Sequence, residues 1–127
     1  MIEFKDIKDI CMSKQGAYQD CPFGPFPICF KVSNRIFLEW YPDWDMITVR
    51  CEPMLADFYR QSYPDAVIVG YHCPSRQKPY KNSVYINQGL KEELIYEMID
   101  HSYEEAVKRL TKTERIKLTK NAEKPVF

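Results

Sequence analysis

The stretch "ICFKVSNRIFLEWYPDWDMITVRC", Ile28 to Cys51, decides the fold. Apolar and polar residues alternate through Ile28–Val32, the two-residue period of a half-buried strand. "SNR" is turn chemistry, "IFLEWY" runs back, "PDWD" turns again, and "MITVRC" makes a third run. Connections this short join antiparallel neighbours, because a parallel pair needs a crossover of a dozen or more residues. The spacing predicts an antiparallel meander at the centre of the chain.

Working outward, Phe4, Ile7, Ile10 and Cys11 recur three and four apart, which predicts a helix from Glu3 to about Lys14 that Gly16 ends. "DCPFGPFP", Asp20 to Pro27, has three prolines and a glycine in eight residues, so it enters the meander as a stiff turn. After the meander, "EPMLADFYRQSY" reads as a helix with Pro53 in its first turn and Leu55, Phe58 and Tyr59 on one side. Pro64 closes it. "AVIVGY" and "NSVYIN" are two further strands. The strongest period follows: Leu94, Ile95, Met98, Ile99, Ala106, Val107 and Leu110 form one stripe, with Glu92, Glu93, Glu97 and Glu104 mostly off it. The order α-β-β-β-α-β-β-α predicts an α+β fold, an antiparallel sheet of about five strands packed with helices. One domain over residues 1–110 is expected, with a basic tail over 111–127 that frays or extends as a surface helix.

A chain of 127 residues holds one core. No apolar run approaches the ~18 residues of a membrane span, and Met1–Asp6 is charged without a signal-peptide core, so a cytoplasmic monomer is expected. Cys11, Cys21, Cys29, Cys51 and Cys73 are odd in number and too widely spaced for a structural zinc site. Neither disulfide nor metal nor cofactor is expected. Only Cys73 lies beside basic residues, where a thiolate is favoured.

Charge is balanced in total and unbalanced along the chain. Residues 1–65 hold seven Lys and Arg against ten Asp and Glu, and residues 66–127 hold eleven against eight. No acid occurs between Asp65 and Glu92. Within that span, "CPSRQKPYK" connects two strand candidates and carries Arg76, Lys78 and Lys81 with Gln77 and Tyr80, between His72 on one side and Asn82 on the other. Cations bind phosphates by counterion release, and amides can contact base edges or sugar. These seven residues are the candidate nucleic-acid contacts. No catalytic set accompanies them. His72 and Cys73 are neighbours that a strand would point to opposite faces. His101 reads as structural, Asp43 and Asp45 flank Trp44 in a turn, and four scattered glycines form no phosphate loop.

"DCPFGPFPICFKVSNRIFLEW", "VRCEPMLADFYRQSYPDAVIVGYH", "NSVYI" and "MIDHSYEEAVKRL" together resemble the MmcQ/YjbR family over about residues 2–110. Gly70, Tyr71 and His72 match its GYH, Asn82, Ser83 and Val84 its N-T-V, and Ser102 and Tyr103 its late SY. The loop between departs from the family's N-K-x-H-W, being about three residues longer and without the tryptophan. The resemblance implies a double-wing α+β fold, similar in outline to frataxin-like proteins, and a DNA-binding label that follows fold likeness. The expected function is a cofactor-free binding protein, weakly holding double-stranded DNA through a basic flap. The alternative is a module that docks a protein or small ligand on an aromatic surface of Trp40, Tyr41 and Trp44.

Overall fold

Six strands form one antiparallel sheet with a helical layer against one face. The computed structural model describes residues 2–123; Met1 and residues 124–127 of the tail lie outside the described residues. In chain order the elements are α1 (Phe4–Met12), β1 (Tyr18–Asp20), β2 (Ile28–Val32), β3 (Arg35–Tyr41), β4 (Met46–Arg50), α2 (Pro53–Ser62), β5 (Val67–Val69), β6 (Lys81–Tyr85), α3 (Glu92–Lys108) and α4 (Lys112–Glu123). Spatially the strands run β1-β2-β3-β4-β6-β5. None of the helices among the described residues is long and apolar enough to cross a membrane.

The predicted meander is β2, β3 and β4. Ser33 and Asn34, at φ 44° and 65°, close the β2–β3 hairpin with both central residues left-handed, the backbone that two-residue hairpins favour. Pairing shifts between Phe30 and Lys31: Phe30 faces Leu38, while Lys31 faces Ile36. The extra residue on β3 is Phe37, and this bulge lets Phe37 and Leu38 both enter the core in succession. It also turns Ile36, Glu39 and Tyr41 toward the opposite face. Without it the register would slip by one and carry every later side chain across the sheet.

The helical layer comprises α1, α2 and α3. Helix α3 buries Ile95, Met98, Ile99, Ser102 and Ala106 against β2, β3 and β4, as its stripe predicted. Ser102 lies in that stripe as its polar member. It donates to the Phe37 carbonyl at 2.5 Å and accepts the Arg50 amide at 2.8 Å, so it satisfies backbone groups that the bulge takes out of the ladder. Tyr103 stacks edge-on with Phe37 at 5.4 Å. The late SY segment thus serves as a helix-to-sheet clamp. Asn82 does the same for α2: its amide donates to the Ala56 carbonyl at 3.2 Å, and its oxygen accepts from Arg60 at 2.6 Å.

The expected antiparallel α+β sheet holds with one strand more, and three other readings are corrected. The sheet has a sixth strand, β1, whose three residues Tyr-Gln-Asp are too few and too polar to show a period. Phe58 is not in the core but 57% exposed; α2 sits over β5 and β6 at the sheet's edge and touches them along a narrow strip of Ala56 and Tyr59. The strand "AVIVGY" ends at Val69, so His72 lies beyond it, at φ 53° in a turn. The basic connection folds as a short 3₁₀ helix, Ser75–Tyr80, against α2.

Candidate functional site: a cleft on the helix-free face

Strand alternation sorts the central strands into two sets. Leu38, Trp40, Ile47, Val49 and Val84 face the helices, whereas Glu39, Tyr41, Thr48, Lys81 and Ser83 face away. This second face carries a cleft of about 740 Å³. The segment with Phe23, Phe26 and Pro27 forms one wall, the Pro42–Trp44 turn a second, and the crossing from Tyr71 to Pro74 a third.

That crossing explains the Gly-Tyr-His segment. Gly70 donates to the Lys81 carbonyl at 3.0 Å, and a Cβ on it would stand 2.7 Å from the Lys81 Cβ, so only glycine lets the chain pass this close. The Tyr71 amide then donates to Ser83 Oγ at 2.8 Å, and Ser83 Oγ meets Thr48 Oγ1 at 2.7 Å. Pinned in this way, Tyr71 lays its ring across the sheet. It meets Trp44 at 4.9 Å and Tyr41 at 5.4 Å, both edge-on, and Tyr41 and Trp44 are 6.1 Å apart. His72 closes the cluster at 4.1 Å from the Tyr71 ring.

The cleft's polar groups lie on the floor. Tyr41 donates to Glu39 at 2.6 Å, and burial, then this bond, pushes the phenol well above its ordinary range. Lys81 is half-buried where β6 begins; desolvation pulls its ammonium below the usual lysine value, opposed by Glu39 and reinforced by Arg50 and Arg109. Burial also pulls the Arg50 guanidinium down, with Arg109 adding to the effect, and this guanidinium lies 4.9 Å over the Tyr80 ring. Cys11, Cys29 and Cys51 are buried thiols pushed up to about 12, chiefly by desolvation, which makes them inert. Among the described residues no three His, Cys, Asp or Glu side chains come together as a metal site.

The structure divides the residues selected from the sequence. His72, Gln77 and Lys81 line the cleft. Arg76 and Lys78 are exposed on the 3₁₀ helix and do not reach it, and Tyr80 lies under Arg50. Asn82 is 1% exposed and spends its hydrogen bonds on α2, so it has no free edge for a base. Lys81 does not project into solvent from a flap, because it is already the first residue of β6 and faces the sheet's open side. Trp40 is likewise removed from the aromatic surface: it alternates with Tyr41, and packs against Phe4 at 5.4 Å in the core. Sequence reasoning missed Arg35, Glu39, Arg109, Phe23 and Phe26. For Glu39 the signal was present, since it sits between Leu38 and Trp40 on the alternate face. Arg109 has no such signal, being brought in by the far end of α3.

These features define a class, an open-faced α+β sandwich with a cleft on its bare sheet face. The architecture recurs in the crystal structure of Deinococcus radiodurans protein DR2400, which carries a DUF419 domain. The two match with a TM-score of 0.85 over 94% of this chain and 89% of that one, at 24% identity. A Pseudomonas syringae protein matches with a TM-score of 0.68 over 83% of this chain and 99% of its own, at 18% identity. Residues 12–105 match the family model described as YjbR. The uncharacterised protein YjbR of Escherichia coli K12 is 27% identical over 114 residues, 87% of this chain and 92% of the relative. The chain belongs to the YjbR family.

Proposed function

We propose that the protein is a binding protein that takes a small, partly apolar molecule into the cleft on its helix-free face. The observation that carries this reading is the cluster of Tyr41, Trp44 and Tyr71. Three aromatic rings are held over polar floor groups in a volume typical of small-molecule sites. Aromatic walls bury ring area, and a few fixed polar groups set orientation. Binding rather than catalysis is favoured because Glu39 is engaged by Tyr41, and His72 and Cys73 share no hydrogen bond among the described residues. The five free thiols, three of them buried, support a reducing, cytoplasmic setting.

Trp44 reports on the site. A titration with a library of aromatic fragments should quench or shift tryptophan emission, and the response should vanish in Trp44→Phe, which leaves the buried Trp40 as the sole indole. Fragments whose binding is untouched by Tyr71→Ala would contradict the reading.

Weak double-stranded DNA binding is a second reading, supported by the exposure of Arg76 and Lys78. With two flap cations rather than three meeting phosphates, the slope of log affinity against log salt is about −1.8. A filter-binding titration between 50 and 200 mM salt tests it, and an absence of binding at the lower salt removes it.

A further inference from the structure

The two ends of the cleft differ in chemistry, and this difference points to a class of ligand. At one end stand the aromatic rings. At the other, where β3 begins, β4 ends and β6 begins, the antiparallel register collects Arg35, Arg50 and Lys81, and the residue after α3 adds Arg109. Arg35, Lys81 and Arg109 line the cleft directly, and Arg50 is the cross-strand partner of Lys81. Among the described residues none of the four stands in an ion pair. Arg35 donates to the Arg109 carbonyl at 3.4 Å, which ties the two basic residues together. Four acids lie near: Glu39 offsets part of the Lys81 charge, Glu105 acts on Arg50 but is engaged by Lys108 at 3.0 Å, Glu114 acts on Arg35 while accepting the Thr111 amide at 2.9 Å, and Asp43 lines the cleft beside Trp44, at the aromatic end.

Like charges gathered over a sheet floor repel one another and are costly to desolvate, so the protein tolerates an arrangement that a bound anion would relieve. The spacing fits one molecule. Tyr71 is fixed to Ser83, two residues along β6 from Lys81, a step of about 7 Å, comparable to a ring system with an acid substituent. We propose that the ligand is a small planar aromatic anion. Its ring lies against Tyr41, Trp44 and Tyr71, and its carboxylate, sulfonate or phosphate group lies at the Arg35–Lys81–Arg109 end. This rests on the reading of the cleft as a binding site and adds the ligand's charge to it.

Two dyes with nearly the same skeleton separate the two claims. 1-Anilinonaphthalene-8-sulfonate carries the anion, and N-phenyl-1-naphthylamine lacks it; both gain fluorescence when bound. The sulfonate should bind the wild type at least about tenfold more tightly, the effect of one charge-assisted contact. Lys81→Met and Arg109→Gln should each erode that preference without weakening the neutral dye, and Arg76→Gln should leave both affinities unchanged. Arg109 is exposed, so its variant keeps the test valid even if Lys81→Met folds poorly. Equal affinity for the two dyes, or a preference that survives in both variants, overturns the anion proposal while leaving the cleft intact. Failure of both dyes to bind, or binding indifferent to Tyr71→Ala, overturns the cleft and the anion proposal together.

Discussion

The two faces of one sheet use the same strands for opposite purposes. On the helical face, Phe30, Leu38, Ile47, Val84 and the α3 stripe bury apolar area without interruption, and the polar intruders Ser102 and Asn82 each satisfy specific backbone or side-chain groups. On the other face, adjacent positions carry Glu39, Tyr41, Thr48 and Lys81, with loops rather than helices as cover. One face is built for stability. The other holds a desolvated lysine, clustered arginines and exposed rings, which folding alone does not require. Residues kept where they cost stability are what the proposed binding site calls for.

Substitutions on the helical face should give the largest effects. Ile99 is fully buried on the sheet-facing side of α3, so Ile99→Ala should lower the unfolding free energy by about 2–5 kcal/mol, read from the urea midpoint. An unchanged midpoint would remove Ile99 from the core and break the contrast at its stable end. Gly70→Ala stands between the faces. The added methyl meets Lys81 Cβ and, at 3.2 Å, Cys73 Sγ, so a loss of about 1–3 kcal/mol is expected together with weakened binding, as the Tyr71 crossing is displaced.

Lys81→Met should act with the opposite sign. Removing a charge that burial disfavours should raise stability by on the order of 1 kcal/mol, a few degrees in Tm, while anion binding is lost. The pH dependence follows from the lowered pKa. Below the folded value Lys81 is charged in both states and its burial is unfavourable. Between that value and the ordinary 10.5, the unfolded chain binds more protons, so wild-type stability rises with pH relative to the methionine variant. A gap between the two proteins that widens on raising the pH contradicts this. The smallest effect belongs to the flap: Arg76→Glu with Lys78→Glu should leave the unfolding free energy within about 0.5 kcal/mol of wild type, since both side chains are exposed.

Legibility in the sequence follows the same division. The helical face was readable because its residues repeat at fixed periods, as in Leu94–Leu110, and because two-residue turns such as Ser33-Asn34 permit only antiparallel return. The bulge at Phe37 hid in an apolar run, "IFLEW", whose composition fits several registers equally. The cleft was only partly legible. The sequence points to Tyr41, Trp44, His72, Gln77 and Lys81, but it places Lys81 in a flap, because a run without acids looks like a solvated loop. Arg35 and Arg109 lie 74 residues apart and meet only through tertiary packing. No local pattern records such a meeting.

The most direct test of the central claim is amide chemical-shift mapping in ¹⁵N-labelled protein titrated with 1-anilinonaphthalene-8-sulfonate. The account predicts saturable shifts concentrated at Tyr41, Trp44, its indole N–H, Tyr71, His72 and Lys81, with α2 and the Arg76–Lys78 segment silent. Shifts centred instead on the exposed Met54 and Phe58 of α2, or on Arg76 and Lys78, would contradict it.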